Sequence, residues 1–85
     1  MDIHAEVVAL LDDVLSLKGR SKAFRDDTRL LTSVPELDSM AVANVLTSLE
    51  ERFGFTIADD EIDASTFETL GNLVAFVRGK VEPVR

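Results

Sequence analysis

No cysteine occurs among the 85 residues. That excludes a disulfide framework, a thiol nucleophile and a thiolate metal site, so any sulfur chemistry has to arrive on a cofactor. Tryptophan and tyrosine are absent as well, and proline occurs only twice. The apolar runs are too short to span a bilayer, which argues against membrane insertion. The N-terminus reads Met-Asp-Ile-His, without the basic lead and apolar block of a signal segment, so a cytoplasmic location is expected. Histidine is nearly absent: His4 stands alone, far in sequence from any serine that starts a helix. A Ser-His-Asp site needs its base beside the nucleophile, so His4 is expected to be a solvated surface residue and the chain not to be an enzyme.

What remains is 46% hydrophobic, with five Phe, which suits a globular chain of one domain, residues 1–85, with a thin core. The net charge of −7 is unevenly spread. Between Leu30 and Val77 stand nine acids and one base, Arg52; between Lys18 and Arg29 stand five bases and two acids. So negative a field repels nucleic acid and anionic membranes and favours basic protein surfaces. The basic stretch is interleaved with one aromatic, Phe24, and is better read as pairing with the acidic helices or as solvated than as a nucleic-acid patch.

Apolar spacing of three and four predicts three main helices. The first covers Ile3–Leu17, capped by Asp2 and stopped by Lys18 and Gly19. Gly19 to Asp38 is aperiodic and reads as a long ordered loop, anchored by Phe24, Leu30, Leu31, Val34 and Leu37 and docked around Thr28–Leu31. Pro35 keeps Val34 extended. A second helix runs from Ser39 to Phe53, capped by Asp38 and ended by Gly54. A short extended link leads to one helical turn at Ala58–Ile62. A last helix spans Thr66–Arg78, capped by Ser65 or Thr66 and closed by Gly79 and Pro83, beyond which the chain is expected to fray. No strand pattern competes. The expected fold is an all-α four-helix bundle, three main helices plus one short helix, with a long loop between the first two.

Two candidate sites follow. The acidic run Asp59-Asp60-Glu61-Ile62-Asp63 fails as a calcium loop, since Ala64 and Leu70 occupy the places that need Gly and Glu; it is an acidic helix start, and no metal is expected. Ser39 is the stronger candidate. If Asp38 takes the cap, Ser39 is free to point out of the first helical turn, where a phosphate ester would meet free N–H groups and the positive end of the helix dipole. Met40 adds a flexible apolar side chain beside it.

The order Leu37-Asp38-Ser39-Met40, then the helix from Ala41 to Phe53 with Glu50 and Glu51 near its end, then Asp59 to Ile62, then Ser65 to Val77, resembles the acyl and peptidyl carrier protein family over nearly the whole chain. The resemblance implies that a phosphopantetheinyl transferase, using coenzyme A and magnesium, attaches 4′-phosphopantetheine to Ser39, with Asp38 and Met40 completing the motif. Acyl-loading and acyl-using enzymes would then exchange cargo as thioesters on a non-catalytic, monomeric, stand-alone carrier. The implied partner face comprises Met40, Ala41, Asn44, Glu50, Glu51, Ile57 and Ile62. An aminoacyl or peptidyl carrier differs only in cargo; a helical interaction module without a prosthetic group is the alternative of another class. Fatty-acid carriers place acids soon after the serine and Gly or Ala before the motif. This chain has Ala41, Asn44 and Leu37 there, which points to a dedicated biosynthetic or modification pathway and to apolar contact near the serine. Internal cargo space is expected, if anywhere, near Val42, Leu46 and Ile62.

Overall fold

Apolar stripes on three helices demand a common core, and the first helix is where they meet. The computed structural model describes residues 2–81, the side chain of Asp59 apart. Among them α1 spans Ile3–Leu15, α2 Leu30–Ser33, α3 Ser39–Phe53 and α4 Leu70–Val81, with 3₁₀ turns at Arg20–Ala23, Asp59–Glu61 and Ala64–Phe67 and no strand. Both α3 and α4 pack on α1, as does the first 3₁₀ turn. The core joins Val7, Leu10 and Leu11 of α1 to Val45 and Leu49 of α3 and Leu70, Leu73 and Val77 of α4, all under 3% exposed. Burying each such side chain is worth about 1.5–3 kcal/mol. The all-α bundle is as expected, and α2 is a short helical turn inside the ordered first loop.

The first helix ends at Leu15, two residues before the expected stop. Ser16 turns left-handed at φ 54°. Its N–H donates to the Asp13 carbonyl and that of Leu17 to the Asp12 carbonyl, so the last carbonyls are satisfied by a Schellman-type turn. The reason is packing: the turn carries Leu17 into the core, where it is 1% exposed. Lys18 is left-handed too, at φ 56°.

The last helix also differs. Ala64–Phe67 is a 3₁₀ turn capped by Asp63, and the α-helix starts at Leu70 and runs through Gly79 to Val81. Its first-turn side-chain acceptor is Thr69, whose Oγ1 takes the Asn72 N–H at 3.1 Å, rather than Ser65 or Thr66. The cause is tertiary. The first loop is laced to this corner by backbone bonds from Leu70 N–H to the Thr28 carbonyl, Gly71 N–H to the Asp26 carbonyl, and Leu30 N–H to the Glu68 carbonyl. This matches the docking expected at Thr28–Leu31. A Cβ on Gly71 would stand 3.0 Å from the Asp26 carbonyl oxygen, so a side chain here would have to displace its neighbour by a few tenths of an ångström. Of the expected loop anchors, Leu30, Val34 and Leu37 are buried and Phe24 is partly buried, but Leu31 is 46% exposed. Pro83 and the expected fraying end lie outside the described residues.

Candidate functional site

The approach to α3 is held on both sides. Val34 and Leu37 are buried, and the Leu37 N–H donates to the Val34 carbonyl across Pro35 and Glu36. The chain then has one outward course. Asp38 is extended at ψ −176°, and its Oδ1 accepts the Ala41 N–H at 2.8 Å while its carbonyl accepts the Val42 N–H at 2.8 Å. The cap is therefore Asp38, as expected. Ser39 is exposed in the first turn, with no hydrogen bond to its hydroxyl among the described residues. The N–H groups of Ser39 and Met40 likewise have no acceptor there. A free hydroxyl beside free N–H groups, at the positive end of a 15-residue helix, fits a phosphodiester on Ser39.

Along α3, Met40 is 77% exposed, Ala41 is partly buried, and Asn44 and Glu51 are exposed. Glu50 is different from a free docking acid. Its Oε2 accepts the Ile57 N–H at 2.7 Å, so it also fastens the link that follows Gly54. With Ala43, Leu46, Thr47, Ile57, Ala58 and Ile62 it lines a cleft of about 340 Å³ between α3 and the following 3₁₀ turn. Leu46 and Ile62 are at the expected place; Val42 is not part of the lining. The far wall is tied down by Glu61, which accepts the Ala58 N–H at 2.8 Å and pairs with Lys80 of α4 at 2.9 Å. Phe53 and Phe55 stack at 6.1 Å between centroids.

Several contacts were not legible in the sequence. His4 is not a free surface residue: its Nε2 meets Asp26 Oδ1 at 3.1 Å. Arg20 of the basic stretch pairs with Glu36 inside the loop rather than with a helix, while Lys18, Lys22, Arg25 and Arg29 are exposed without an ion pair among the described residues. Arg52 bridges to Glu6 of α1 at 2.8 Å. Each links residues 16 to 46 positions apart, and no local spacing signals such pairs. A larger concavity, about 490 Å³, opens between α1 and the first 3₁₀ turn, lined by Ala5, Val8, Ala9, Lys22 and Phe24 among others, and contains none of the expected site residues.

Four carboxyls are held below their ordinary range, each by its own donors. For Asp12 the Ser21 hydroxyl dominates, at 2.6 Å, and for Asp63 the Ser65 hydroxyl. Glu36 is lowered by the Arg20 guanidinium, and Glu61 by the Ala58 N–H and then Lys80.

Comparison with known proteins bears on the same segment. Residues 5–77 match the family model described as "Phosphopantetheine attachment site". The chain is 30% identical over 81 residues to an acyl carrier protein of Exiguobacterium sp. (strain ATCC BAA-1283 / AT1b), covering 95% of this chain and 91% of that protein. The solution structure of a holo acyl carrier protein from Nitrosomonas europaea superposes with a TM-score of 0.84 at 51% identity, covering 92% of this chain and 94% of that one.

Proposed function

This chain belongs to the phosphopantetheine attachment-site family, and from that premise we propose that Ser39 bears the arm and that the segment around it is what partner enzymes read. The chain is a non-catalytic carrier with a covalent 4′-phosphopantetheine. The arm supplies the thiol that the sequence lacks, on which acyl groups travel as thioesters. Carriers of this kind work with transferases and biosynthetic enzymes. Among the described residues no helix is long and apolar enough to cross a membrane.

One observation carries the assignment of Ser39. Asp38 occupies the cap, so the neighbouring hydroxyl is exposed and unspent beside two free N–H groups. The chain's own residues hold that position: Val34 and Leu37 clamp the approach, and Asp38 fixes the first turn. The proposed partner face is Met40, Ala41 and Asn44, continued by Glu50, Glu51, Ile57 and Ile62. Met40 and Leu31 are the large hydrophobic side chains exposed among the described residues. Apolar contact near the serine thus supports service in a dedicated biosynthetic or modification pathway, on a monomeric carrier loaded by a phosphopantetheinyl transferase.

Incubation with coenzyme A, magnesium and a broad-range transferase tests this. Intact mass should rise by about 340 Da, that of the phosphopantetheinyl ester, and Ser39→Ala should abolish the gain. A gain that persists in Ser39→Ala would move the attachment point elsewhere.

A further inference from the structure

Glu36 is the acid that precedes Asp38-Ser39, and in the sequence it adds to the acidic field. The fold pairs it. One carboxylate oxygen, Oε2, accepts a hydrogen bond from the Arg20 guanidinium; the other, Oε1, is buried and has no hydrogen-bond partner among the described residues. Arg20 is itself positioned, its Nε donating to the Leu17 carbonyl at 3.1 Å. The 3₁₀ turn that carries it is pinned by Asp12 through the Gly19 N–H and the Ser21 hydroxyl. Glu36 in turn accepts the Asp38 N–H on its carbonyl at 3.0 Å, so its backbone abuts the residue that caps α3.

The charge close to Ser39 is therefore that of the exposed Asp38 carboxylate, which keeps its charge in the cap. Asp38 is engaged in the cap, Glu36 in the ion pair, and Ala41 and Asn44 are neutral. Glu50 and Glu51 lie eleven and twelve residues along α3. At the helical rise that is about 16–18 Å, beyond the screening length of about 10 Å at 0.1 M salt.

We propose that Arg20 is a partner-specificity residue: by pairing with Glu36 it keeps a second negative charge from adding to that of Asp38 at the end of the molecule that presents Ser39. This rests on the reading of Ser39 as the attachment point. Without Arg20 a carboxylate with one buried, unpartnered oxygen loses the side-chain donor that holds it, and desolvation drives it out to water. A negative charge then stands beside the attachment end, where an enzyme with a basic docking face gains and one with an apolar face loses.

Loading kinetics with coenzyme A and a transferase of basic docking face read this out. Arg20→Ala should lower KM for the carrier about threefold at low salt, the size of one exposed charge contact, with kcat unchanged. Glu36→Gln keeps the contact but leaves Arg20 uncompensated, and should raise KM. The double variant should return to the wild-type value, and all differences should vanish near 0.5 M salt, where screening acts within about 4 Å. A brace without an electrostatic role would raise KM or lower kcat in both single variants and would not be cancelled in the double; that result, or an unchanged Arg20→Ala with normal wild-type loading, overturns the inference alone. A wild-type chain that takes no arm on Ser39 overturns the attachment reading and this inference with it. Amide spectra of each variant establish that it is folded.

Discussion

At the scale of single residues, Asp38 and Ser39 divide two tasks. The carboxylate of Asp38 is spent on the Ala41 N–H, and this leaves the Ser39 hydroxyl free. Removing the cap should cost about 1 kcal/mol, read as a fall in Tm of about 4–8 °C for a domain of this length. Asn caps as well as Asp, so Asp38→Asn should keep Tm, whereas Asp38→Ala should lower it, and with a basic docking face the lost charge should raise KM at low salt. A fall in loading with Asp38→Asn that persists at high salt and unchanged Tm would assign the carboxylate a part in the transfer itself. Ser16 shows the opposite economy, a side chain held at φ 54° where glycine is favoured. A left-handed non-glycine residue costs about 1–2 kcal/mol, partly offset by the entropy that glycine loses on folding. Ser16→Gly should therefore stabilise by about 0.5–1 kcal/mol in denaturant unfolding. Asp38 was legible in the sequence because a cap acts over three residues. The left-handed Ser16 was not, because the burial of Leu17 demands it.

At the scale of elements, the two loops are fastened by different means. The first is stitched to the start of α4 by main-chain bonds, and the Asp26 carbonyl lies close against Gly71. Gly71→Ala shifts the Asp26 carbonyl by a few tenths of an ångström, so faster amide exchange should appear at Leu70, Gly71 and Leu30 together, while the helix propensity of alanine, about 1 kcal/mol better than glycine, offsets the cost in overall stability. The link after α3 is held by side chains, above all by Glu50 on the Ile57 N–H. Glu50→Ala should expose the Ile57 amide to exchange while leaving Val45 and Leu49 protected. The same contact means that a Glu50→Lys reversal changes the cleft wall as well as the charge. Glu51, exposed, is the cleaner probe of steering, and Glu51→Lys should slow partner transfer at low salt without lowering Tm.

At the scale of the whole molecule, charge and acid stability are linked. Asp12, Glu36, Glu61 and Asp63 are held below their ordinary values of 3.8 for Asp and 4.5 for Glu. A carboxyl lowered on folding contributes stability that is present above its unfolded pKa and lost as pH falls through the folded one. Unfolding free energy should thus decline as pH drops below those ordinary values. The net charge of −7 acts in the other direction, since its self-repulsion weakens as acids protonate. Salt separates the two: it should raise Tm at pH 7 by screening repulsion. The acid decline should shrink in Glu61→Gln and Lys80→Ala, which remove one lowered carboxyl and its partner. A flat profile between pH 5 and 2 would show that these contacts are not retained in solution.

By itself the sequence determined the helical class, the places of α1 and α3, the two aspartate caps, and the order of motifs by which the family is recognised and Ser39 is proposed. Those features rest on spacings of one to four residues, the reach of a helical turn, and on side chains that cap their own backbone. Only the tertiary structure decided where α1 stops, where α4 starts, that Leu31 faces water, that His4 meets Asp26, and that Arg20 pairs with Glu36. Each of these depends on residues brought together from distant parts of the chain, where close packing and the pairing of buried polar atoms override the local preference.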